Sequence, residues 1–165
     1  MIILGIDPGL QKTGWGVIRS EGNALRYLGS GLIKTDASHS LAARLAVLHE
    51  GIKIILDEFK PQEAAVEETF VNKNPASALK LGQARGVVLC VPALYGLEVA
   101  EYSANKVKKS VVGSGHAAKE QMGMMIRTLL PACGTIGEDE ADSLAVAITH
   151  AHYRNWNALQ AKVAR

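Results

Sequence analysis

Two rhythms of apolar positions run along the chain. Ile2-Ile3-Leu4-Gly5-Ile6 is a short apolar run stopped by Asp7-Pro8-Gly9, and a run of this kind ending in a Pro-Gly turn predicts a strand buried on both faces. A second strand is expected over residues 14–19 and, after a turn at Asn23, a third over 25–34. The short loops between them predict an antiparallel meander. Leu41, Leu45, Leu48, Ile52 and Ile55 then keep helical spacing behind Ser40, whose hydroxyl suits an N-cap. Gly51 costs such a helix roughly 1 kcal/mol relative to Ala, which points to a close packing contact there.

Pro61 closes that helix, and Glu63-Ala64-Ala65-Val66-Glu67 reads as a buried fourth strand with Glu67 at its carboxyl end. Residues 75 to about 91 predict a helix in which Gly82 and Gly86, one turn apart, would allow close approach to a neighbour. Pro92 is expected to end or kink it. A fifth strand over 97–102, a short basic helix over 103–112, another helix over 117–130 and a last one from 138 to about 156 complete the series. The expected architecture is α/β: a mixed five-stranded sheet, strands one to three antiparallel and the later ones parallel, flanked by helices. It forms one domain over 1–156, with a polar tail over 157–165.

A chain of 165 residues buries on the order of 70% of its unfolded surface, enough to hold a rigid site. The 48% hydrophobic and 21% charged shares exclude a disordered chain. A net charge of +2 means that any nucleic-acid contact must come from basic residues gathered on one face. Cys90 and Cys133 lack Cys-x-x-Cys spacing, which argues against a zinc ribbon and for plain thiols in a reducing compartment. The N-terminus has no basic leader and its apolar run is short, so a cytoplasmic protein without a membrane partner is expected.

In α/β sheets ligands bind beside the carboxyl ends of strands, where Asp7 and Glu67 both fall. Asp7 alone could be only a turn residue before Pro-Gly, but a carboxylate beside buried residues, as at Glu67, needs a partner or a metal. Asp139 and Asp142 adjoin on one face of the last helix, whose stripe of Ala141, Leu144, Ala145 and Ile148 turns it onto the sheet. Acids in a first helical turn are also favoured by the helix dipole alone, and Glu138 lies near the same face, so spacing leaves the choice of ligands open. An all-oxygen set suits Mg²⁺ or Mn²⁺. Two such ions roughly 4 Å apart can activate water and stabilise a leaving oxygen.

Ile3-Leu4-Gly5-Ile6-Asp7-Pro8-Gly9, Tyr27-Leu28-Gly29-Ser30-Gly31, Ser77-Ala78-Leu79-Lys80-Leu81-Gly82-Gln83-Ala84-Arg85-Gly86-Val87, Val111-Val112-Gly113, and Ala141-Asp142 leading to Ala147-Ile148-Thr149-His150 together resemble the RuvC-type Holliday junction resolvases of the RNase H-like superfamily. The resemblance implies an RNase H-like fold and catalytic, metal-binding acids at Asp7, Glu67, Asp139 and Asp142. Glu67 is matched in preference to Glu68 by its place before Phe70, and the relative weight of Asp139 and Asp142 stays open. It further implies a homodimer that nicks a four-way junction symmetrically in recombination and repair, leaving 5′ phosphates and 3′ hydroxyls. Mg²⁺ would serve, with Mn²⁺ able to substitute and two ions per site, and a RuvA–RuvB branch-migration complex would be a partner. Phe70 corresponds to an aromatic inserted near the crossover, and Lys108 and Lys119 to lysines close to the cleft.

Lys73, Lys80 and Arg85 are further candidates for DNA contact, although a solvated helix face or a dimer contact explains Lys80 and Arg85 equally well. Lys106, Lys108 and Lys109 form the densest basic run, suited to phosphate contacts that weaken with salt. His150 stands two helical turns beyond Asp142, roughly 12 Å along the axis and too far to share an ion. It and His152 are therefore expected to be structural or surface residues. Two rival functions fit parts of the sequence. An actin-like ATPase would use Gly5-Ile6-Asp7-Pro8-Gly9 as a phosphate loop but needs two domains, and a junction-binding protein without catalysis would keep the fold alone. The 77–87 block argues against the related YqgF-type nucleases.

Overall fold

The computed structural model describes residues 1–68 and 74–163, with side chains described up to residue 154. Strand β1 (Ile2–Asp7) pairs antiparallel with β2 (Lys12–Glu21), which pairs antiparallel with β3 (Ala24–Lys34). On its other side β1 pairs parallel with β4 (Glu63–Glu68), and β4 with β5 (Glu98–Ser103), giving the sheet order β3-β2-β1-β4-β5. This is the mixed sheet expected from the hydrophobic pattern, with β1 at its centre.

Because β1 and β4 are covered on both sides, their successive side chains enter two different cores. Ile3 and Ala65 pack with α3 (Ala104–Val112), α4 (Lys119–Leu129) and α5 (Glu138–Val163) on one face. Leu4, Ile6, Ala64 and Val66 pack with α1 (Leu41–Phe59) and α2 (Pro75–Leu94) on the other. Helix α1 begins where the Ser40 side chain accepts from the Ala43 N–H at 3.3 Å. Gly51 meets Ile33, whose side chain would lie 2.9 Å from an added Cβ, so its expected packing role holds.

Three expectations need correction. Helix α2 continues through Pro92 to Leu94; the proline falls in the last turn, where its missing N–H costs one hydrogen bond and its buried ring adds to the core. Gly82 and Gly86 have nothing within 4 Å of an added Cβ among the described residues, so within the chain they mark an open helix face and not a close approach. Helix α5 runs to Val163, past the expected end near Trp156, because no glycine or proline interrupts it. A short 3-10 turn, Pro131–Cys133, was not foreseen. Both cysteines are free, and among the described residues no helix is long and apolar enough to cross a membrane.

Helix α5 lies unusually close to the sheet. A Cβ on Gly5 would stand 2.2 Å from the Ser143 carbonyl oxygen, and one on Gly14 2.2 Å from that of Asp139. Neither contact tolerates a side chain, so the helix backbone rests directly on β1 and β2. That bed fixes the height of the helix's first turns above the sheet.

Candidate active site

Asp7 ends β1, and its neighbour in register on β2 is Gly14, the residue on which the Asp139 carbonyl rests. On the other side, β1 and β4 are in register through Ile6 and Val66, so the next residues, Asp7 and Glu67, emerge side by side. The three elements thus deliver Asp7, Glu67, Asp139 and Asp142 to one end of the sheet. Glu67 is half-buried and Glu68 exposed, as the alternation of a strand requires.

The electrostatics record this convergence. Burial, then the charges of Glu67, Asp142 and Asp139, push the Asp7 carboxyl up to about 8 against the opposing pull of Lys119. Burial and then Asp142 push Glu67 up to about 7, with Lys108 opposing. Asp142 is also raised, chiefly by burial; Lys119 and Lys108 act against the shift, Asp139 and Glu138 with it. Half-buried acids this close raise one another's pKa, and a cation bound among them would favour their charged forms.

The site is an open cleft. A cavity of about 180 Å³ is lined by Glu67, Lys108, Lys119 and Asp142 together with apolar residues of α3 and α4. Among the described residues, no three or more acids, histidines or cysteines are closed into a ready-made ligand cluster. The carboxylates influence one another across the cleft instead. Their chemistry, oxygen donors without sulfur or imidazole, fits a hard divalent cation.

Lys119 Nζ lies 2.6 Å from Glu138 Oε2, and both side chains are well exposed. Glu138, left open as a ligand by its spacing, is thus engaged at the cleft rim. Lys108 is half-buried in the cleft wall. Lys80 is exposed on α2, whereas Arg85 pairs with Glu101 of β5, an intramolecular partner that the sequence did not reveal. Phe70 and Lys73 lie outside the described residues. His150 donates to or accepts from Tyr102 at 2.9 Å and Glu63 at 2.7 Å, and His152 contacts Ser110 at 3.1 Å. Glu63 begins β4 while Glu67 lies near its other end, so both histidines are structural, as distance along the helix predicted.

Sequence reasoning missed a second group of residues around the first turn of α5. Glu140 accepts from the Ser30 hydroxyl at 2.9 Å and from the Gly137 N–H at 3.0 Å, and Tyr27 Oη lies 3.0 Å from Ser30 Oγ. A signal was present, because an acid three residues after the cap position is half of a capping box. Its partner on β3 was not readable.

Residues 3–150 match the family model described as crossover junction endodeoxyribonuclease RuvC. The chain is 61% identical over 165 residues to the crossover junction endodeoxyribonuclease RuvC of Paramagnetospirillum magneticum, covering all of this chain and 98% of that one. It is 61% identical over 154 residues to the protein of the same name from Rhodospirillum rubrum, covering 93% and 91%. Among solved structures, RuvC of T. thermophilus in complex with a Holliday junction substrate superposes with a TM-score of 0.89 at 34% identity, covering 95% of this chain and 96% of that chain. The yeast mitochondrial Holliday junction resolvase matches with a TM-score of 0.67 at 12% identity, over 93% of this chain and 83% of that one, a likeness of fold alone.

Proposed function

The chain belongs to the RuvC family of crossover junction endodeoxyribonucleases, and from that premise we propose that the acidic cleft is where it cuts junction DNA, with Asp7, Glu67, Asp139 and Asp142 as metal ligands. It is a Holliday junction-resolving endonuclease, metal-dependent as the family is, that acts in recombination and repair. The observation carrying the site assignment is Asp7: a half-buried carboxyl at a strand end, with three other acids acting on it.

The ion is Mg²⁺, with Mn²⁺ able to substitute, and two are held per site; bound there, the metal would supply Lewis acidity and a water nucleophile at neutral pH. Asp7, which the charges of the other three acids reach, would hold the metal together with Glu67, Asp139 and Asp142. Loading must displace protons from carboxyls held as high as Asp7 and Glu67, so metal binding and deprotonation are coupled. Lys108 and Lys119 put positive charge at the cleft wall, where a DNA phosphate would replace the carboxylates as their partner. Hydrolysis breaks the bond from phosphorus to the 3′ oxygen. The water oxygen stays on the 5′ phosphate, and the released proton ends on the 3′ hydroxyl.

Phe70 stacks on a base near the crossover, a contribution of roughly 1 to 3 kcal/mol, and Lys73 and Lys80 hold neighbouring phosphates. Arg85, already paired with Glu101, joins them only by exchanging that partner. A homodimer with two-fold symmetry matches a near-symmetric junction and sets both cut positions. The open glycine face of α2, at Gly82 and Gly86, is compatible with a partner subunit there. Acting on chromosomal junctions, the protein would serve in the cytoplasm, with a RuvA–RuvB branch-migration complex as its partner.

The test is a synthetic four-way junction incubated with purified protein and Mg²⁺. Paired symmetric nicks with ligatable 5′ phosphates are expected. Retained cleavage by Asp7→Asn at unchanged junction binding would overturn the site assignment.

A further inference from the structure

The Tyr27-Leu28-Gly29-Ser30-Gly31 segment has no part in the chemistry above, yet its Ser30 hydroxyl reaches the metal-site helix. Ser30 Oγ donates to Glu140 Oε1 at 2.9 Å across a sequence separation of 110, and Tyr27 Oη lies 3.0 Å from the same Ser30 oxygen. The other carboxylate oxygen, Glu140 Oε2, accepts from the Gly137 N–H at 3.0 Å. The main-chain carbonyl of Glu140 accepts from the buried Ser143 hydroxyl at 2.8 Å. Glu140 is therefore held at both ends, and it stands between Asp139 and Asp142 on one helical turn.

We infer that Glu140 is a positioning residue of the metal site: clamped between Ser30 of β3 and the Gly137 N–H, it sets the rotation of the α5 first turn, and with it where Asp139 and Asp142 stand relative to Asp7.

The glycine bed fixes the height of the helix above β1 and β2, through the contacts of Gly5 and Gly14. The buried stripe of Ala141, Leu144, Ala145 and Ile148 sets the roll of the body of the helix, but none of residues 138 to 140 in its first turn is buried, and that turn can still shift about the axis. Asp139 and Asp142 project from adjoining positions, so a small roll displaces both carboxylates together. The tether to β3, one strand beyond β2 in the sheet, acts off the axis and opposes that roll. Partners of this kind, bonded to the scaffold of a metal site and not to the metal, commonly change affinity or activity by about 10- to 100-fold when lost.

The inference rests on the reading of Asp139 and Asp142 as ligands, and the test separates the two. Mn²⁺ binding to the full-length protein is measured without DNA, by calorimetry and by the metal-induced rise in Tm, for wild type, Glu140→Ala, Glu140→Gln, Ser30→Ala and Asp142→Asn. Glu140→Ala is expected to weaken Mn²⁺ binding by about tenfold, and Ser30→Ala to weaken it less but in the same direction. Glu140→Gln, which keeps the shape and can still bond both partners, retains affinity. In cleavage assays the loss appears as a higher metal concentration for half-maximal rate, with kcat recovered at saturating metal.

If Asp142→Asn weakens binding while Glu140→Ala and Ser30→Ala bind as wild type does, the clamp is overturned and the ligand assignment stands. If Asp142→Asn itself binds normally, the ligand assignment fails. Loss in Glu140→Gln equal to that in Glu140→Ala would assign the effect to charge and overturn the positioning role. Should Glu140→Ala fail to fold by circular dichroism, Ser30→Ala, which removes one hydroxyl, decides the question.

Discussion

Asp7 and Glu67 leave two adjacent parallel strands one residue beyond the paired Ile6 and Val66, and burial together with charge repulsion holds their carboxyls at about 8 and about 7. In the unfolded chain both titrate near 4. A folded pKa above the unfolded one means that the folded state is favoured at low pH, and that this contribution is lost as pH rises from about 4 through the folded values. The metal-free protein is therefore expected to lose stability between about pH 4 and pH 8. In EDTA at pH 8, Asp7→Asn should be more stable than wild type, by roughly 2 kcal/mol or several degrees in Tm. The gain should vanish at pH 4 and shrink on adding Mg²⁺. Thermal melts across that range check it; equal Tm values at pH 8 would mean that water relieves the repulsion.

The same carboxylates predict a division between binding and cutting. Asp7→Asn, Glu67→Gln and Asp142→Asn each remove a ligand charge while keeping side-chain volume. Each should lower the single-turnover cleavage rate by more than about 100-fold, since losing outer partners alone costs about 10- to 100-fold. Junction binding in EDTA should hold or tighten, because the cleft becomes less negative toward phosphate. Gel-shift titration beside single-turnover cleavage separates the two effects. Equal loss of binding and rate would assign these residues to DNA recognition.

Lys119 offers a contrast between stability and function. Its ion pair with Glu138 is solvent-exposed, and exposed pairs of this kind add little to folding. Lys119→Ala is thus expected to leave Tm unchanged. If the lysine meets a phosphate, junction affinity should fall, and the slope of log affinity against log salt should decrease by about one. Lys108→Ala should do the same. A salt slope equal to wild type in both variants would remove them from the interface.

The strands and the acids were legible because their signals are local. Apolar runs closed by Pro-Gly or Pro marked β1 and β4, a serine cap marked α1, and the acids at strand ends followed from those boundaries. Contacts between distant segments left no local trace. Ser30 meets Glu140 across 110 positions, and Gly14 reads as an ordinary strand glycine until α5 is laid upon it. Arg85 looked like a free cation on a helix, but β5 supplies Glu101 against it. Pro92 and the end of α5 were misplaced for another reason: proline in a last turn is tolerated, and polar residues do not end a helix that lacks a breaker.

At the far end of β4, Glu63 joins His150 at 2.7 Å and Arg154 at 2.8 Å. Burial alone would raise the Glu63 carboxyl, but the hydrogen bonds from His150 and Arg154 outweigh it and hold the group below its ordinary value. A depressed folded pKa contributes stability above the unfolded value that is lost as pH falls through the folded one. Glu63→Gln should therefore flatten the acid limb of the stability curve below about pH 4. His150→Ala removes a buried side chain bonded to both the Tyr102 hydroxyl and Glu63 Oε2, and leaves those two atoms without that partner while Arg154 still holds Glu63 Oε1. It should cost about 2 to 3 kcal/mol. Because this network lies at the opposite end of β4 from Glu67, the rate of junction cleavage at a temperature where the variant stays folded should match wild type. Denaturant unfolding at pH 3 and pH 7, with cleavage assayed at pH 7, checks both halves. A fall in cleavage rate without a fall in stability would tie the histidine to the catalytic cleft and contradict the separation of the two ends of the strand.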